Sequence, residues 1–152
     1  QIGRNNFRGM REAGMVVFWM VLVFMTITGL IFILMRFYLP TLYIDSEEVV
    51  ALSASLLIIA GLFQLSDGVQ VAGLGVLRGL EDVRFPTLIT LVAYWVIGLP
   101  LGYFLAFELG FAEKGIWYGL LIGLSVTAVV LFYRFHKLSN RMIAANKPAV
   151  IA

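Results

Sequence analysis

"VVALSASLLIIAGLFQLSDGVQVAGLGVL", from Val49 to Leu77, holds Asp67 as its single charged residue. At about 1.5 Å per residue such a run makes a helix of roughly 43 Å, longer than the ~30 Å of membrane hydrocarbon. It lacks the alternation of a barrel strand, and lipid admits only helices and closed barrels. The stretch therefore reads as a membrane-crossing helix that tilts or protrudes, with a carboxylate buried along its length.

Three further apolar runs flank it, at Met15–Met35, Phe85–Phe107 and Gly115–Tyr133. The whole chain is 61% hydrophobic with a mean hydropathy of +0.96. A soluble core of this size cannot hide that much apolar surface. The fold class is all-α and polytopic, with four transmembrane helices expected near 14–36, 48–77, 86–107 and 115–135. The first is too long to be a cleaved signal peptide. Residues 1–13 read as a cytoplasmic loop, 14–138 as the four-helix body, and 139–152 as a cytoplasmic tail, frayed after Asn140. "FYLPTLYIDSEE" and "ELGFAEKG" are the external connections, with Asp45 or Ser46 as N-cap of the second helix. "RGLEDVRFP" is the tight turn between the second and third helices, and Pro86 suits a first helical turn. The opening on Gln1, without an initiator methionine, gives the expectation of a piece of a longer membrane protein.

Charge placement sets the orientation. Arg4, Arg8 and Arg11 precede the first helix, Arg78 and Arg84 lie between the second and third, and Arg134, Lys137, Arg141 and Lys147 follow the fourth. Only Arg36 and Lys114 fall on the other side, among Asp45, Glu47, Glu48, Glu108 and Glu113. The excess of Lys and Arg predicts cytoplasmic termini. The same basic tail invites a nucleic-acid reading, but setting topology is the simpler role, and no nucleic-acid partner is expected.

On a helical wheel Asp67 shares a face with Gln64 and Gln70, and Ala60 and Ser53 continue it. A second stripe, Ala54, Gly61, Gly68, Ala72, Gly75 and Gly79, gathers small residues that let another helix approach. One helix thus has a packing face and a polar face, as expected for the wall of a cavity. Counted from Arg78, Asp67 lies about 16 Å along the axis, near the membrane midplane. Inserting an aspartate there costs on the order of 3 kcal/mol. A carboxylate held only by Gln64 or Gln70 for packing is the plain reading; an ion site is the functional one. Burial favours the neutral acid and a bound cation favours the carboxylate, so the group can exchange a proton for a metal ion. Coupling to a cation, with Asp67 as its ligand and sodium as one candidate metal, is the sharper of the two readings. Phe63, one turn earlier, offers either a ring face to a cation or simple packing.

In "YWVIGLPLGY", Pro100 removes a backbone donor, expected to leave the Val96 carbonyl without its partner, and Gly98 and Gly102 flank it. A static kink and a hinge are both consistent with that pattern. Gly115, Gly119 and Gly123 form a ladder at intervals of four, a packing face. No enzyme is indicated. The chain has no cysteine, one histidine (His136) far from any suitable Ser or Asp, and no phosphate-binding glycine loop. No cofactor is expected beyond a coupling ion.

"QLSDGVQVAGLGVLRGLEDVRFP", then "YWVIGLPLGYFLAF" and "GIWYGLLIGLSV", resemble the carboxy-terminal part of multidrug and toxic compound extrusion (MATE) transporters, most closely their NorM-like bacterial branch. "IGRNNFRGMREAG" is similar to the cytoplasmic loop before the ninth helix of that family. The resemblance implies that the four helices are the ninth to twelfth of a twelve-helix bundle in the bacterial inner membrane. It also implies export of organic cations and other amphipathic compounds in exchange for sodium ions or protons. Asp67 falls on the cation-site aspartate of a "QLxDxxQ" pattern that Gln64, Leu65 and Gln70 complete. Phe63 stands where the pattern often has tyrosine and so brings no hydroxyl. A partner carboxylate on the seventh helix would precede Gln1. The implied partners are membrane lipids, the remaining N-terminal helices and small amphipathic substrates.

Two other functions fit the same helices. A lipid or oligosaccharide flippase of the same superfamily would line its cavity with several cationic residues, which these helices lack. A non-transporting scaffold assembled through its glycine faces would work without the Asp67 carboxylate.

Overall fold

The computed structural model describes residues 6–146, so Arg4, Lys147 and the outer parts of the expected loop and tail lie outside the described residues. The first helix, Phe7–Leu34, starts well before residue 14. Asn6 caps it: its Oδ1 accepts the Gly9 N–H at 2.9 Å. The polar lead-in looks like a loop by hydropathy, yet Met10 and Gly14 on one face of it are buried, and that packing makes the segment helical.

A short helix, Tyr38–Thr41, with Pro40 buried, leads to the second long helix, Glu47–Gly79. Ser46 holds the extended N-cap conformation, but its side chain makes no capping bond. Glu47 and Glu48 in the first turn and Arg78 in the last complement the helix dipole instead. A turn with Glu81 at φ 62 leads into the third long helix, Arg84–Glu108. The fourth, Ala112–Ala145, runs through the expected tail, because Ser139 remains buried and Met142 packs on the core. All four are long and apolar enough to cross a membrane.

The helices alternate in direction, so the start of the first and the end of the fourth share one end of the bundle, here the terminal end. Side by side the order is first, second, fourth, third. Gly14 of the first helix lies against the Phe135 ring of the fourth. Phe18 meets Phe132 edge-on at 5.0 Å and Phe135 at 5.7 Å. With Met10, Ala72, Leu77 and Leu131, the Phe18 and Phe135 rings form the core of the terminal end. Asp82, in the turn after the second helix, accepts a hydrogen bond from Arg134 Nε at 2.8 Å, and the guanidinium lies over the Phe85 ring at 4.5 Å. Arg11 donates to Asn140 Oδ1 at 2.7 Å. Large apolar side chains such as Trp19, Phe24, Trp95 and Val129 face outward, as they do where lipid or further helices cover them.

The third helix carries two π-helical segments, Ala93–Gly98 and Phe104–Glu108, around the α-helical turn Leu99–Tyr103. The first closes with the Leu99 N–H bonded to the Tyr94 carbonyl five residues back. Pro100 has no N–H to continue that register onto Trp95. The wide turn thus ends on the Leu99 bond, immediately before the proline.

Candidate functional site

The first and fourth helices divide the packed surface of the second between them. Gly61 and Gly68 face the first helix: a Cβ on Gly61 would lie 3.1 Å from the Gly29 carbonyl, and one on Gly68 2.7 Å from Val21 and Met25. Ser66 and Gly73 face the fourth, through a 2.8 Å hydroxyl pair with Ser125 and a close approach to Leu131. Asp67 comes between these faces and is half-buried. On one side of it Gln64 Oε1 accepts a hydrogen bond from Thr28 at 3.3 Å. On the other, the Gln70 side chain is buried, 6% exposed.

Both carboxamides are left with unused capacity. Gln64 Nε2 and Gln70 Oε1 are buried without a hydrogen-bond partner, and Gln70 is only 6% exposed. A buried unpaired polar atom costs about 1–3 kcal/mol, which a ligand bound beside it would offset. Asp67 and the carboxamide oxygens are hard donors, suited to a hard cation such as sodium. Among the described residues no three His, Cys, Asp or Glu come together, so the single carboxylate suits a monovalent ion better than a multi-carboxylate metal centre.

The remaining expected residues separate by role. Phe63 packs edge-on to Trp117 at 6.0 Å, so its ring serves contact with the fourth helix. Gly115, Gly119 and Gly123 do form a packing face, lying on Ala106, Gly102 and the Ala93–Gly98 segment of the third helix. Gly98 and Gly102 are the other half of that contact, next to Gly119, Gly123 and Ile116. Gly75 needs correction: a Cβ there meets nothing within 4 Å, and Gly79 is equally open. Toward the terminal end the fourth helix replaces the first as close neighbour, and the buried glycine becomes Gly73, about 200° around the axis from Gly75. Sequence reasoning passed over Gly29, Gly73, Thr28 and Ser125. Gly29 in an otherwise bulky run was the one readable signal among them.

Away from the terminal end, the stripe of Asp67 continues through Ala60 and Ser53 into an apolar cavity of about 430 Å³ that also touches Tyr43, Leu57 and Trp117. An ion-type site and an apolar cavity thus lie along one face of one helix.

Residues 1–104 match the family described as MatE. The chain belongs to the MatE family. This MatE chain is 42% identical over 151 residues to the multidrug resistance protein NorM of Burkholderia vietnamiensis, covering 96% of the chain and 33% of that relative. It is 38% identical over 144 residues to the probable multidrug resistance protein NorM of Agrobacterium fabrum, covering 91% of the chain and 31% of the relative. The crystal structure of the eukaryotic MATE transporter AtDTX14 superimposes with a TM-score of 0.80 at 26% identity, over 92% of the chain and 32% of that structure. The MatE chain therefore has the MATE transporter fold, is a multi-pass membrane protein, and spans about a third of the length of these relatives.

Proposed function

We propose that these helices form the carboxy-terminal third of a secondary multidrug antiporter, in which Asp67 binds the coupling cation, sodium or proton, that drives export of organic cations and other amphipathic compounds. The observation that carries this reading is the placing of Asp67 between two buried carboxamides with unpartnered atoms, in the middle of an apolar helix. Such a carboxylate needs a bound cation to remain charged away from water and a proton to remain neutral. Competition between those two states is what an exchanger uses. The apolar cavity on the same stripe supplies contact for an amphipathic substrate. NorM relatives named as multidrug resistance proteins support the substrate class. In this reading further helices cover the exposed apolar faces and complete the transporter in a bacterial inner membrane, and the Lys and Arg distribution supports cytoplasmic termini.

The test is Asp67→Asn in the full-length transporter, which keeps shape and hydrogen bonding but removes the charge. Drug export driven by an imposed sodium or proton gradient falls to background while the protein still reaches the membrane. Unchanged gradient-driven export per folded molecule would overturn the assignment and favour a scaffold or packing role.

A further inference from the structure

On the side of the second helix turned away from Asp67, the first and fourth helices leave a cleft that is basic at its mouth and apolar below. We propose that this cleft binds an anionic phospholipid of the surrounding membrane, with its phosphate held by Arg8 and Arg11 and one acyl chain laid along the first helix as far as Leu22. The site is separate from the cation site and stands whether or not Asp67 binds an ion.

Two cavities that share Met15 make up the cleft. The outer one, about 380 Å³, is lined by Arg8, Arg11, Glu12, Met15 and Ile143. The inner one, about 190 Å³, runs from Met15 past Trp19 and Leu22 to Phe132, with Val69 of the second helix in its wall, and every side chain around it is apolar. Arg8, Arg11, Met15, Trp19 and Leu22 follow one another at spacings of three and four, so a single face of the first helix supplies the whole length. Val69 lies about 160° around the second helix from Asp67, which sets the cleft on the opposite side from the proposed transport face.

Charge decides what the mouth takes. Arg134, at the same end of the bundle, pairs with Asp82, whereas among the described residues neither Arg8 nor Arg11 forms an ion pair. Arg11 is already fixed in place: Nη1 donates to Asn140 Oδ1 at 2.7 Å, and Nη2 lies 3.5 Å from both ring nitrogens of His136. A guanidinium carries five N–H donors, so Arg11 keeps several for phosphate oxygens, and the exposed Arg8 adds its own. Glu12 brings one carboxylate into the same mouth, which the two guanidinium groups outweigh.

Length decides what the apolar part takes. Leu22 comes eleven residues after Arg11, about 16 Å of helix, against ~15 Å for one leaflet of a ~30 Å hydrocarbon core. Met15 opens the apolar run, so Arg11 stands at headgroup depth, and a chain hung from a phosphate there reaches the end of the slot. Free phosphate has nothing to place in the inner cavity, and an apolar helix has nothing to offer the arginines. An anionic lipid meets both halves with one molecule.

The experiment uses the purified full-length transporter in phosphatidylcholine nanodiscs containing increasing phosphatidylglycerol with brominated acyl chains, which quench tryptophan fluorescence on contact. A quenched component appears at low phosphatidylglycerol content, is absent in Trp19→Phe, and is far weaker with brominated phosphatidylcholine at the same content. In Arg8→Gln the content needed for half of that quenching rises about fivefold, the size of one lost arginine near a membrane surface, and Glu12→Gln lowers it. Millimolar inorganic phosphate leaves the quenching unchanged. Equal quenching by the two lipids, or a parental midpoint in Arg8→Gln, would overturn the proposal. Displacement by inorganic phosphate would do the same, leaving a simple anion site beside an unrelated cleft. The lack of any Trp19 component would also overturn it, by showing that another helix of the transporter fills the cleft.

Discussion

Gly29 and Gly61 face each other so closely that neither tolerates a Cβ without movement: one added to Gly29 would lie 2.9 Å from the Gly61 carbonyl, and one added to Gly61 lies 3.1 Å from that of Gly29. Backbone thus meets backbone where the first helix crosses the second, next to the Gln64 side chain that Thr28 bonds. In lipid this contact stabilises by dispersion and fit, with no water to expel. Gly61→Leu and Gly29→Leu should each lower the yield and melting temperature of the folded protein. Gly75→Leu, with nothing near it, should leave both within the scatter of the parent. A loss at Gly75 equal to that at Gly61 would show that a further helix covers it.

Glycine stripes show how far the sequence could be read. Hydropathy alone locates the four helices, since a long apolar run in lipid has one stable backbone. It misses their ends, because the Asn6 cap, the buried Met10 and Ser139, and the partly buried Met142 extend helices through polar stretches. Spacing identifies Gly61 and Gly68 as a face but not the neighbour that occupies it, so it cannot separate Gly73 from Gly75. Asp67, Gln64 and Gln70 are legible as one polar face in an apolar run. The π turns of the third helix are not, since no residue type is diagnostic of that register.

The ion pair between Asp82 and Arg134 ties the turn after the second helix to the fourth, and the guanidinium also stacks on Phe85. Both side chains keep some exposure, so the pair itself contributes no more than about 1 kcal/mol. Arg134→Gln should lower thermal stability in detergent by a few degrees, and Arg134→Lys should recover only part, lacking the planar stack. An unchanged melting temperature in Arg134→Gln would show that the contact adds nothing.

Orientation is open to a direct test. Ser46 and Arg141 are exposed at opposite ends of the bundle. In intact cells a membrane-impermeant thiol reagent should label Ser46→Cys and spare Arg141→Cys until the cells are opened. Labelling of Arg141→Cys alone in intact cells would invert the topology proposed from the charge distribution.

Phe63 decides between two uses of an aromatic ring one turn before a cation ligand. A ring that served the cation would present its face to the ion, and its loss would weaken binding. The structure instead sets Phe63 and Trp117 at 80° and 6.0 Å, the edge-to-face geometry in which the ring quadrupoles attract. Trp117 also lines the apolar cavity, so the pair joins the wall of that cavity to the second helix. Phe63→Leu keeps apolar bulk but removes the ring, and should cost about 1 kcal/mol of stability with sodium affinity unchanged. Substrates that bury an aromatic group in the cavity should lose affinity, because Trp117 is no longer braced. A large fall in sodium affinity at unchanged stability would return Phe63 to the cation site and leave Trp117 a bystander.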